Sequence, residues 1–594
     1  MKVGLEIHQR LDSERKLFSP ALNEENEEEI FIFERRLRPV AGETGEIDKA
    51  AMHEFLKGKK FIYKSYKDNC SLVEADEEPP AEMDKESLDT VLQICKLLNC
   101  KIVDEIQVMR KTVIDGSNTS GFQRTAIVGM DGYIPVNGRD LKIETVVIEE
   151  EAARIERRDE KNIYKLNGLG IPLVEITTDA SLQNGEEARE AAEYIGRLVR
   201  SCKVKRGIGS IRQDVNVSVK GGARVEIKGF QELREISILV ENEVKRQEAL
   251  IKIGDELREK QFSGCSQKLD VTQVFAGTNN KMIKKEIEED GKVMAINVPD
   301  FAGFMKREVG DRTLAKELIG YTKLFGVNGF IHSDENIAGY KLEEEFSNMK
   351  KGFGVGENDL LVVIAGKNID KAVFVLCSKI DKLIEGVEEE TRVADGTGSR
   401  YARPLPGSSR MYPETDVYPV FIDEKYLKEI KLPKTLDEKE TKLKKNLPDE
   451  IARQLVKSKY YSIFEEISTT MWNVSPVFVA STLLSNMKEL KRKGVEIDKI
   501  SKEKIREVFE MVDKNIISKD SINDVLTDIS KGVMIDKVKE KYRKMSGEEL
   551  KKRVEEICRE HSQENDKVIM GLIMSKVKAD GKKVMELLKK ARKK

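Results

Sequence analysis

Three short segments of the chain alternate strictly between apolar and polar residues, and they cover residues 4–8, 214–218 and 224–228. A β-strand sends successive side chains to opposite faces of a sheet, so each segment predicts a strand with one apolar and one polar face. The apolar positions are expected in a hydrophobic core: Val215, Val217, Val225 and Ile227. The polar positions are expected to share the opposite face: Glu6, His8, Asp214, Asn216, Arg224, Glu226 and Lys228.

Two interpretations of this polar face are open. One is a solvated sheet face, which is the common case, and the other is a carboxylate-lined cradle that binds a metal ion and a phosphate group. The pair formed by Glu6 and His8 favours the cradle. Further acids follow in the chain, with Glu149 and Glu150 in the run 148–151 and Glu175 inside the apolar run 170–176. A carboxylate inside such a strand is costly unless it is paired or binds a cation.

The residue types of this face indicate which ligands it would take. Carboxylates combined with one imidazole suit Mg²⁺ or Mn²⁺, the cations that neutralise phosphates during phosphoryl transfer. Arg212, Arg224 and Lys228 supply positive charge for a phosphate beside the cation. The residues therefore predict a metal-and-phosphate cradle, but they leave open what is phosphorylated and whether Glu149 or Glu150 faces the metal.

The remaining hydrophobic pattern predicts the other elements. Apolar residues at helical spacing predict helices over 84–98, 186–200 and about 232–250. A compact mixed module is expected over 283–385, with a helix at 311–325 and strands at 361–365 and 372–376. Residues 391–420 are rich in Gly and Pro and predict an irregular functional segment. Beyond about 433 the pattern is almost entirely helical.

We therefore predict an α+β protein. It consists of a mixed-sheet catalytic cradle with an inserted α/β module, followed by an all-α helical domain and a helical tail domain. The length of 594 residues supports several domains, because single cores stop growing near roughly 250–300 residues. The expected boundaries are 1–282 and 386–432 for the cradle, 283–385 for the inserted module, 433–515 for the helical domain and 516–594 for the tail domain.

Composition and charge distribution indicate the cellular location of the protein and the kinds of partner that it binds. No run approaches the roughly 20 apolar residues that cross a bilayer, so no membrane association is expected. Seven scattered cysteines without a Cys-x-x-Cys pair indicate reduced thiols, and no signal-peptide pattern is present, so we expect a cytoplasmic protein. The net charge of −2 is uneven, since 537–594 holds 19 Lys and Arg against 10 Asp and Glu. This basic end is equally typical of a nucleic-acid-binding appendage and of a solvated helical face.

Two common catalytic arrangements are excluded by the sequence. The chain has no Gly-x₄-Gly-Lys-Ser/Thr run, so any nucleotide is not held by a P-loop. Only four histidines are present, and only His8 lies among other candidate residues, so no Ser–His–Asp triad is discernible.

The segments described above resemble, in order and spacing, the B/E family of tRNA-dependent amidotransferase subunits. The similarity covers essentially the whole chain and is greatest to the archaeal E-type form, which carries an inserted module like that of bacterial-type aspartyl-tRNA synthetase. Val147 and Gly168 stand where the B-type form usually has His and Arg, and no zinc-type cysteine cluster is visible, as is typical of the E-type form. The matching runs are 4–8, 16–20, 148–152, 170–176, 212–219, 224–228 and Tyr-Pro-Glu-Thr-Asp at 412–416.

The resemblance implies an enzyme that acts on glutamate esterified to tRNA(Gln). ATP with Mg²⁺ would phosphorylate the glutamate side chain, and ammonia would then displace phosphate. The implied catalytic residues are Glu6, His8, Glu175, Asp214 and Glu226. The implied metal ligands are these five together with Glu149 or Glu150. The implied contacts to ATP, phosphate or substrate are Arg212, Asn216, Arg224 and Lys228.

The resemblance also implies partners. An asparaginase-like amidotransferase subunit of the D type would supply the ammonia in a heterotetramer with two copies of each chain. The tail domain, the helical domain and the inserted module would hold the tRNA. Two alternatives stay open, namely a non-catalytic tRNA-binding subunit of an aminoacyl-tRNA complex and an ATP-dependent ligase that acts on a free small acid. The acids kept in apolar strands argue against the first, and the basic tail argues against the second.

Overall fold

A computed structural model gives the architecture of the chain. It describes residues 1–592 except 25, 43–44, 57, 159–161, 231, 368, 408–409, 545–546, 562 and 577–580. Parts of the segment expected at 391–420 and of the tail domain expected at 516–594 therefore lie outside the described residues. The chain divides into two compact units, Met1–Pro433 and Lys434–Lys594.

The first unit contains all the named strands. They are β1 (Lys2–Arg10), β2 (Glu29–Arg35), β3 (Phe61–Tyr66), β4 (Lys101–Ile102), β5 (Glu105–Ile106), β6 (Met109–Thr112), β7 (Phe122–Val136), β8 (Arg139–Glu150), β9 (Arg154–Arg158), β10 (Asn162–Lys165), β11 (Pro172–Thr178), β12 (Ile211–Ser218), β13 (Val225–Phe230), β14 (Gln267–Asp270), β15 (Lys292–Val298), β16 (Glu308–Val309), β17 (Arg312–Thr313), β18 (Ile331–His332), β19 (Leu360–Gly366), β20 (Glu390–Asp395), β21 (Gly398–Pro404), β22 (Met411–Pro413) and β23 (Val420–Phe421).

The helices of the first unit are α1 (Lys49–Phe55), α2 (Lys85–Leu97), α3 (Gly185–Val199), α4 (Ile236–Glu259), α5 (Lys281–Glu288), α6 (Leu314–Thr322), α7 (Glu343–Phe353), α8 (Asp370–Asp381) and α9 (Glu424–Glu429). Those of the second unit are α10 (Leu436–Lys444), α11 (Asp449–Lys457), α12 (Tyr461–Thr470), α13 (Pro476–Ser481), α14 (Met487–Arg492), α15 (Lys502–Asp513), α16 (Ile522–Ser530), α17 (Ile535–Tyr542), α18 (Gly547–Glu560), α19 (Asp566–Lys576) and α20 (Gly581–Arg592). A π-helical turn over 482–486 links α13 to α14.

An eleven-stranded mixed sheet forms the centre of the first unit. Its main path runs β21-β20-β13-β12-β1-β11-β8-β7-β6-β22, and β4 pairs with β7. Helices α2, α3 and α4 pack on one face, where their apolar residues share a core with Val215, Val217, Val225 and Ile227. The two-faced character predicted for these strands is confirmed, and the opposite face of the sheet is left for polar side chains.

A second, four-stranded sheet with the order β14-β15-β19-β18 lies within the inserted part of the chain. It already begins at Gln267–Asp270, before the expected boundary at 283. The strand expected at 361–365 is confirmed as β19, and the helix expected at 311–325 forms over α6 and a following 3₁₀ turn. A further four-stranded sheet has the order β2-β3-β10-β9.

Two sequence predictions in this region are wrong. The strand expected at 372–376 is part of α8, because Ala372, Val373 and Leu376 are buried at helical spacing against the neighbouring core. The segment 391–420 is not irregular throughout, since it carries most of β20 together with β21, β22 and the start of β23. Strands β20 and β21 form a hairpin, whereas β20, β22 and β23 also pair with β13, β6 and β5, which are far away in the sequence and which a local pattern does not reveal.

Among its described residues the second unit consists of helices joined by turns and short connections, with no named strand, as predicted. One hydrophobic core extends from Leu447 to Tyr542, across the expected boundary between 515 and 516. Another core extends from Leu550 to Leu588. The prediction of an α+β cradle followed by an all-α region is therefore confirmed. Among the described residues, no helix combines the length and the apolar character needed to cross a lipid bilayer.

Candidate active site

The polar face of the central sheet is organised around strand β1. This strand lies between β11 and β12 and is antiparallel to both, so that His8 is opposite Glu175 on one side and Arg212 on the other. Glu6 is opposite Asp214 in the same way. Because side chains alternate along a strand, this register brings acids from three neighbouring strands onto one face.

The first group of acids surrounds His8. His8 Nε2 lies 3.1 Å from Glu175 Oε2 and 3.7 Å from Glu149 Oε1. These three residues, which we call the His8 cluster, each offer one ligand atom, and the three atoms lie within 4.8 Å of one another. The strands β1, β11 and β8 therefore bring together three residues that are widely separated in the sequence.

The second group lies on the other side of β1. Glu6, Asp214 and Glu226, which we call the Glu6 cluster, also place one carboxylate oxygen each within 4.8 Å of the others. The side-chain amide of Asn216 donates a hydrogen bond of 3.0 Å to Glu6 Oε1. The hydroxyl of Thr391 donates a hydrogen bond of 3.0 Å to Glu226 Oε2.

Each cluster holds one lysine ammonium group. Lys228 Nζ lies 2.7 Å from Asp214 Oδ2 and 2.5 Å from Glu226 Oε1. Lys111 Nζ lies 3.2 Å from Glu149 Oε2 and 3.6 Å from Glu175 Oε2. Closely spaced carboxylates repel one another, and a cation between them allows them to stay ionised.

The pKa shifts follow from this mixture of charges. Burial would lower the pKa of His8, but the hydrogen bond to Glu175 and the charges of nearby acids raise it to about 9. Burial would raise the pKa of Glu175, but Lys111 and His8 lower it well below its ordinary value. Burial and neighbouring carboxylates raise the pKa of Glu6, with Lys228 opposing them. At neutral pH and without a cation, His8 is therefore mainly protonated, and it must release the proton on the nitrogen facing Glu175 before that nitrogen can bind a cation.

Both clusters contribute side chains to one cleft of about 770 Å³. This volume is in the range of small-molecule and cofactor sites. Its walls also carry the positive side chains of Arg224 and Arg410 and the apolar side chains of Val147 and Ile127. The cleft is therefore lined by acidic, cationic and apolar side chains.

Four of the predicted site residues do not line the cleft: Glu149 and Asp214, which belong to the two clusters, and Glu150 and Arg212, which lie away from them. Glu150 accepts a hydrogen bond of 3.1 Å from the backbone N–H of Arg124 and lies 3.5 Å from its guanidinium. Of the two alternatives it is Glu149 that joins His8, because β8 presents only one residue of the pair to this face. Arg212 lies 3.0 Å from Glu151 and does not line the cleft.

Three residues that the sequence analysis missed lie at the site: Lys111, Thr391 and Arg410. Lys111 lies on the four-residue strand β6, which is too short to show an alternating pattern. Thr391 and Arg410 lie in the segment that was predicted as functional but irregular. Burial lowers the pKa of Arg410, and its Nε donates a hydrogen bond of 3.0 Å to the carbonyl of Thr112.

The donor set fits hard divalent cations. Five of the six residues in the two clusters are carboxylates, and the sixth is an imidazole. Oxygen-rich groups of this kind are typical ligands of Mg²⁺ and Mn²⁺, which also bind substrate phosphates. The arrangement is chemically suited to bringing a cation and a phosphate group together in the cleft.

The chain matches known proteins along its full length. Residues 1–428 match the family model described as the GatB/GatE catalytic domain, and residues 462–591 match the model described as the GatB domain. The chain is also similar along its full length to proteins named as the E-type subunit of glutamyl-tRNA(Gln) amidotransferase. The relative from Methanocaldococcus jannaschii is 41% identical over 99% of this chain and 98% of its own length. The relative from Archaeoglobus fulgidus is 41% identical over 100% of this chain and 98% of its own length.

The relative from Sulfolobus acidocaldarius is 42% identical over 99% of this chain and 97% of its own length. The catalytic-domain match spans both acid clusters and every described residue that lines the cleft. The chain is therefore an enzyme of the GatB/GatE family of tRNA-dependent amidotransferases.

Proposed function

We propose that this chain converts glutamyl-tRNA(Gln) to glutaminyl-tRNA(Gln) with ATP and ammonia. The observation that carries the proposal is the cleft that is lined by members of both the His8 cluster and the Glu6 cluster, each cluster with its own lysine. The relatives named as E-type subunits of glutamyl-tRNA(Gln) amidotransferase support the same substrate.

The proposed reaction has two steps. An oxygen of the glutamate side-chain carboxylate attacks the γ-phosphorus of ATP, the bond to the bridging oxygen breaks, and ADP leaves. Ammonia then attacks the carbonyl carbon of the acyl phosphate, inorganic phosphate leaves with the bonding electrons, and it takes up the proton released from nitrogen. A carboxylate is inert to ammonia, whereas an acyl phosphate is reactive because phosphate is a good leaving group.

The residues of the cleft neutralise the charge of the phosphates and hold the reacting groups in position. Lys228, Lys111, Arg224 and Arg410 neutralise the phosphates, and Asn216 holds Glu6 in place. Most of the catalysis of phosphoryl transfer comes from positioning and from charge neutralisation. Arg212 is proposed to contribute from outside the cleft, where it is paired with Glu151.

The proposed cofactors are ATP and Mg²⁺. The proposed cation ligands are His8, Glu149, Glu175, Glu6, Asp214 and Glu226. Bound Mg²⁺ would supply charge neutralisation of the ATP phosphates and of the transferring group. Before it binds, Lys228 and Lys111 balance the negative charge of the carboxylates that they contact.

The proposed partners follow from the same assignment. An asparaginase-like subunit of the D type supplies ammonia in a heterotetramer of two copies of each chain, in the cytoplasm. The inserted module (283–385), the helical domain (433–515) and the basic tail domain (516–594) bind the tRNA. Lysine-rich surfaces bind the tRNA backbone in a salt-dependent manner.

The test uses the full chain with its ammonia-producing partner or with ammonium chloride. It receives ATP, Mg²⁺ and tRNA(Gln) esterified with labelled glutamate, and the amino acid is identified after deacylation. We expect labelled glutamine, which disappears without ATP and in the variants His8→Ala and Glu226→Ala. Glu144→Gln is a matched control, because Glu144 lies on β8 like Glu149 but is exposed and outside the cleft.

Each other outcome identifies an alternative. Recovery of glutamate alone from tRNA that still binds would indicate a non-catalytic tRNA-binding subunit. Consumption of ATP with free glutamate but no tRNA would indicate a ligase for a small acid. Glutamine formed equally well by His8→Ala and Glu226→Ala would place the chemistry outside this cleft.

A further inference from the structure

The carboxylate of Glu226 is held from two sides. Lys228 Nζ lies 2.5 Å from Oε1, and the hydroxyl of Thr391 donates a 3.0 Å hydrogen bond to Oε2. Thr391 is opposite Glu226 in the parallel pairing of β13 with β20 and is 1% exposed, so water does not compete for its hydroxyl. A glutamate side chain has several rotatable bonds, and its strand alone does not fix the direction of the carboxylate.

Arg392, which follows Thr391 on β20, is bound to the inserted module (283–385) through Glu317. The guanidinium of Arg392 is fully buried and donates hydrogen bonds of 2.7 and 2.9 Å to the two oxygens of Glu317, which lies on α6. It also donates a hydrogen bond of 2.7 Å to the hydroxyl of Ser399 on β21. Arg246 on α4 donates a further bond of 3.0 Å to Glu317. Paired charges of this kind fix geometry because neither partner has water as an alternative.

We propose that Thr391 is a positioning residue for Glu226 and that the Arg392–Glu317 pair makes this position depend on the inserted module. The inference rests on the proposed function, in which Glu226 is a cation ligand. None of the described residues of 283–385 lines the cleft, yet the module supplies the anchor of the strand that orients one of its carboxylates. The module thus helps to hold β20, and with it Thr391 and Glu226, in the geometry that the cation site requires.

The primary test measures Mn²⁺ binding to the metal-free full chain by electron paramagnetic resonance. We expect Thr391→Val to bind Mn²⁺ about tenfold more weakly, since a buried hydrogen bond to a charged acceptor is lost. Thr391→Ser keeps the hydroxyl and is expected to bind like the natural chain. Thr90→Val is a matched control, because its buried hydroxyl donates 2.9 Å to the carbonyl of Glu86 on α2, away from the cleft. If Thr391→Val does not fold, Thr391→Ala gives the same comparison.

A second readout separates positioning from a general loss of stability. Excess Mg²⁺ is expected to restore the amidation rate of Thr391→Val, whereas a folding defect would not respond in this way. Glu317→Gln is expected to weaken Mn²⁺ binding several-fold, while Glu343→Gln, on the exposed face of α7, is expected to leave it unchanged.

The outcomes are distinguishable. Natural Mn²⁺ affinity in Thr391→Val would overturn the positioning role, and natural affinity in Glu317→Gln would overturn the link to the module. A natural chain that neither binds Mn²⁺ nor forms glutamine would instead overturn the proposed function, and this inference with it.

Discussion

Replacement of Lys228 by methionine tests the charge balance of the Glu6 cluster. Lys228 Nζ contacts Asp214 and Glu226 at 2.7 and 2.5 Å, and its charge also acts on Glu6. Methionine keeps most of the length of the side chain but leaves the carboxylates without their ammonium group. Removing one partner from a buried ion pair typically costs about 3–5 kcal/mol, and since a third of this side chain is exposed we expect about 3 kcal/mol.

The same variant should gain more stability from Mg²⁺ than the natural chain does. In the natural chain the ammonium group occupies the carboxylate oxygens that a cation would use, whereas in Lys228→Met those oxygens are free to bind it. A cation present at a hundredfold excess over its dissociation constant stabilises by about 2.7 kcal/mol, so Mg²⁺ should restore most of the loss.

The assay is urea unfolding in MgCl₂ and in EDTA, followed by circular dichroism, with hydrogen exchange of β12 and β13 to isolate the first unit. Lys142→Met is the matched control, because Lys142 pairs with Asp131 at 2.8 Å on the surface, where solvent screens the pair and its loss should change stability little. An equal Mg²⁺ effect on Lys228→Met and on the natural chain would refute the reasoning, since the carboxylates would then not bind a cation in place of the lysine.

Three further predictions concern other charges. Glu175→Gln should lower the amidation rate at least about a hundredfold, because a neutral amide no longer balances His8 and Lys111; steady-state kinetics measure the rate, and circular dichroism checks that the variant is folded under the assay conditions. Arg392 and Arg246 overcome the effect of burial and lower the pKa of Glu317 to about 2, below its ordinary 4.5. That carboxylate therefore stabilises the fold by about 3 kcal/mol above pH 4.5 and loses this contribution towards pH 2, so the stability advantage over Glu317→Gln should shrink on acidification in urea titrations. Replacing the exposed Lys551 and Lys552 by glutamine should lower the slope of log affinity for tRNA against log salt by about one to two, and an unchanged slope in filter binding would remove this part of the tail from the interface.

The sequence by itself determined which strands have two faces and which residues belong to the polar one. Alternation over 214–218 and 224–228 was sufficient, because a strand has a fixed period of two residues and the apolar set must be buried. It also determined that the chain ends in helices, since the apolar spacing beyond 433 has no period of two. The resemblance of the spaced motifs added the family, which periodicity alone does not give.

Only the tertiary structure decided the features that depend on pairing between distant segments. Glu149 and Glu150 are adjacent and chemically identical, and the choice between them follows from the register in which Glu149 is opposite Leu173 on β11. Thr391 reaches Glu226 across 165 positions of sequence through the pairing of β13 with β20. Residues 372–376 form a helix, although their apolar run suits a strand, because α8 packs its buried residues against the module core. In each case the sequence supplies the side chains, and the long-range pairing of strands and packing of helices determines which side chains meet.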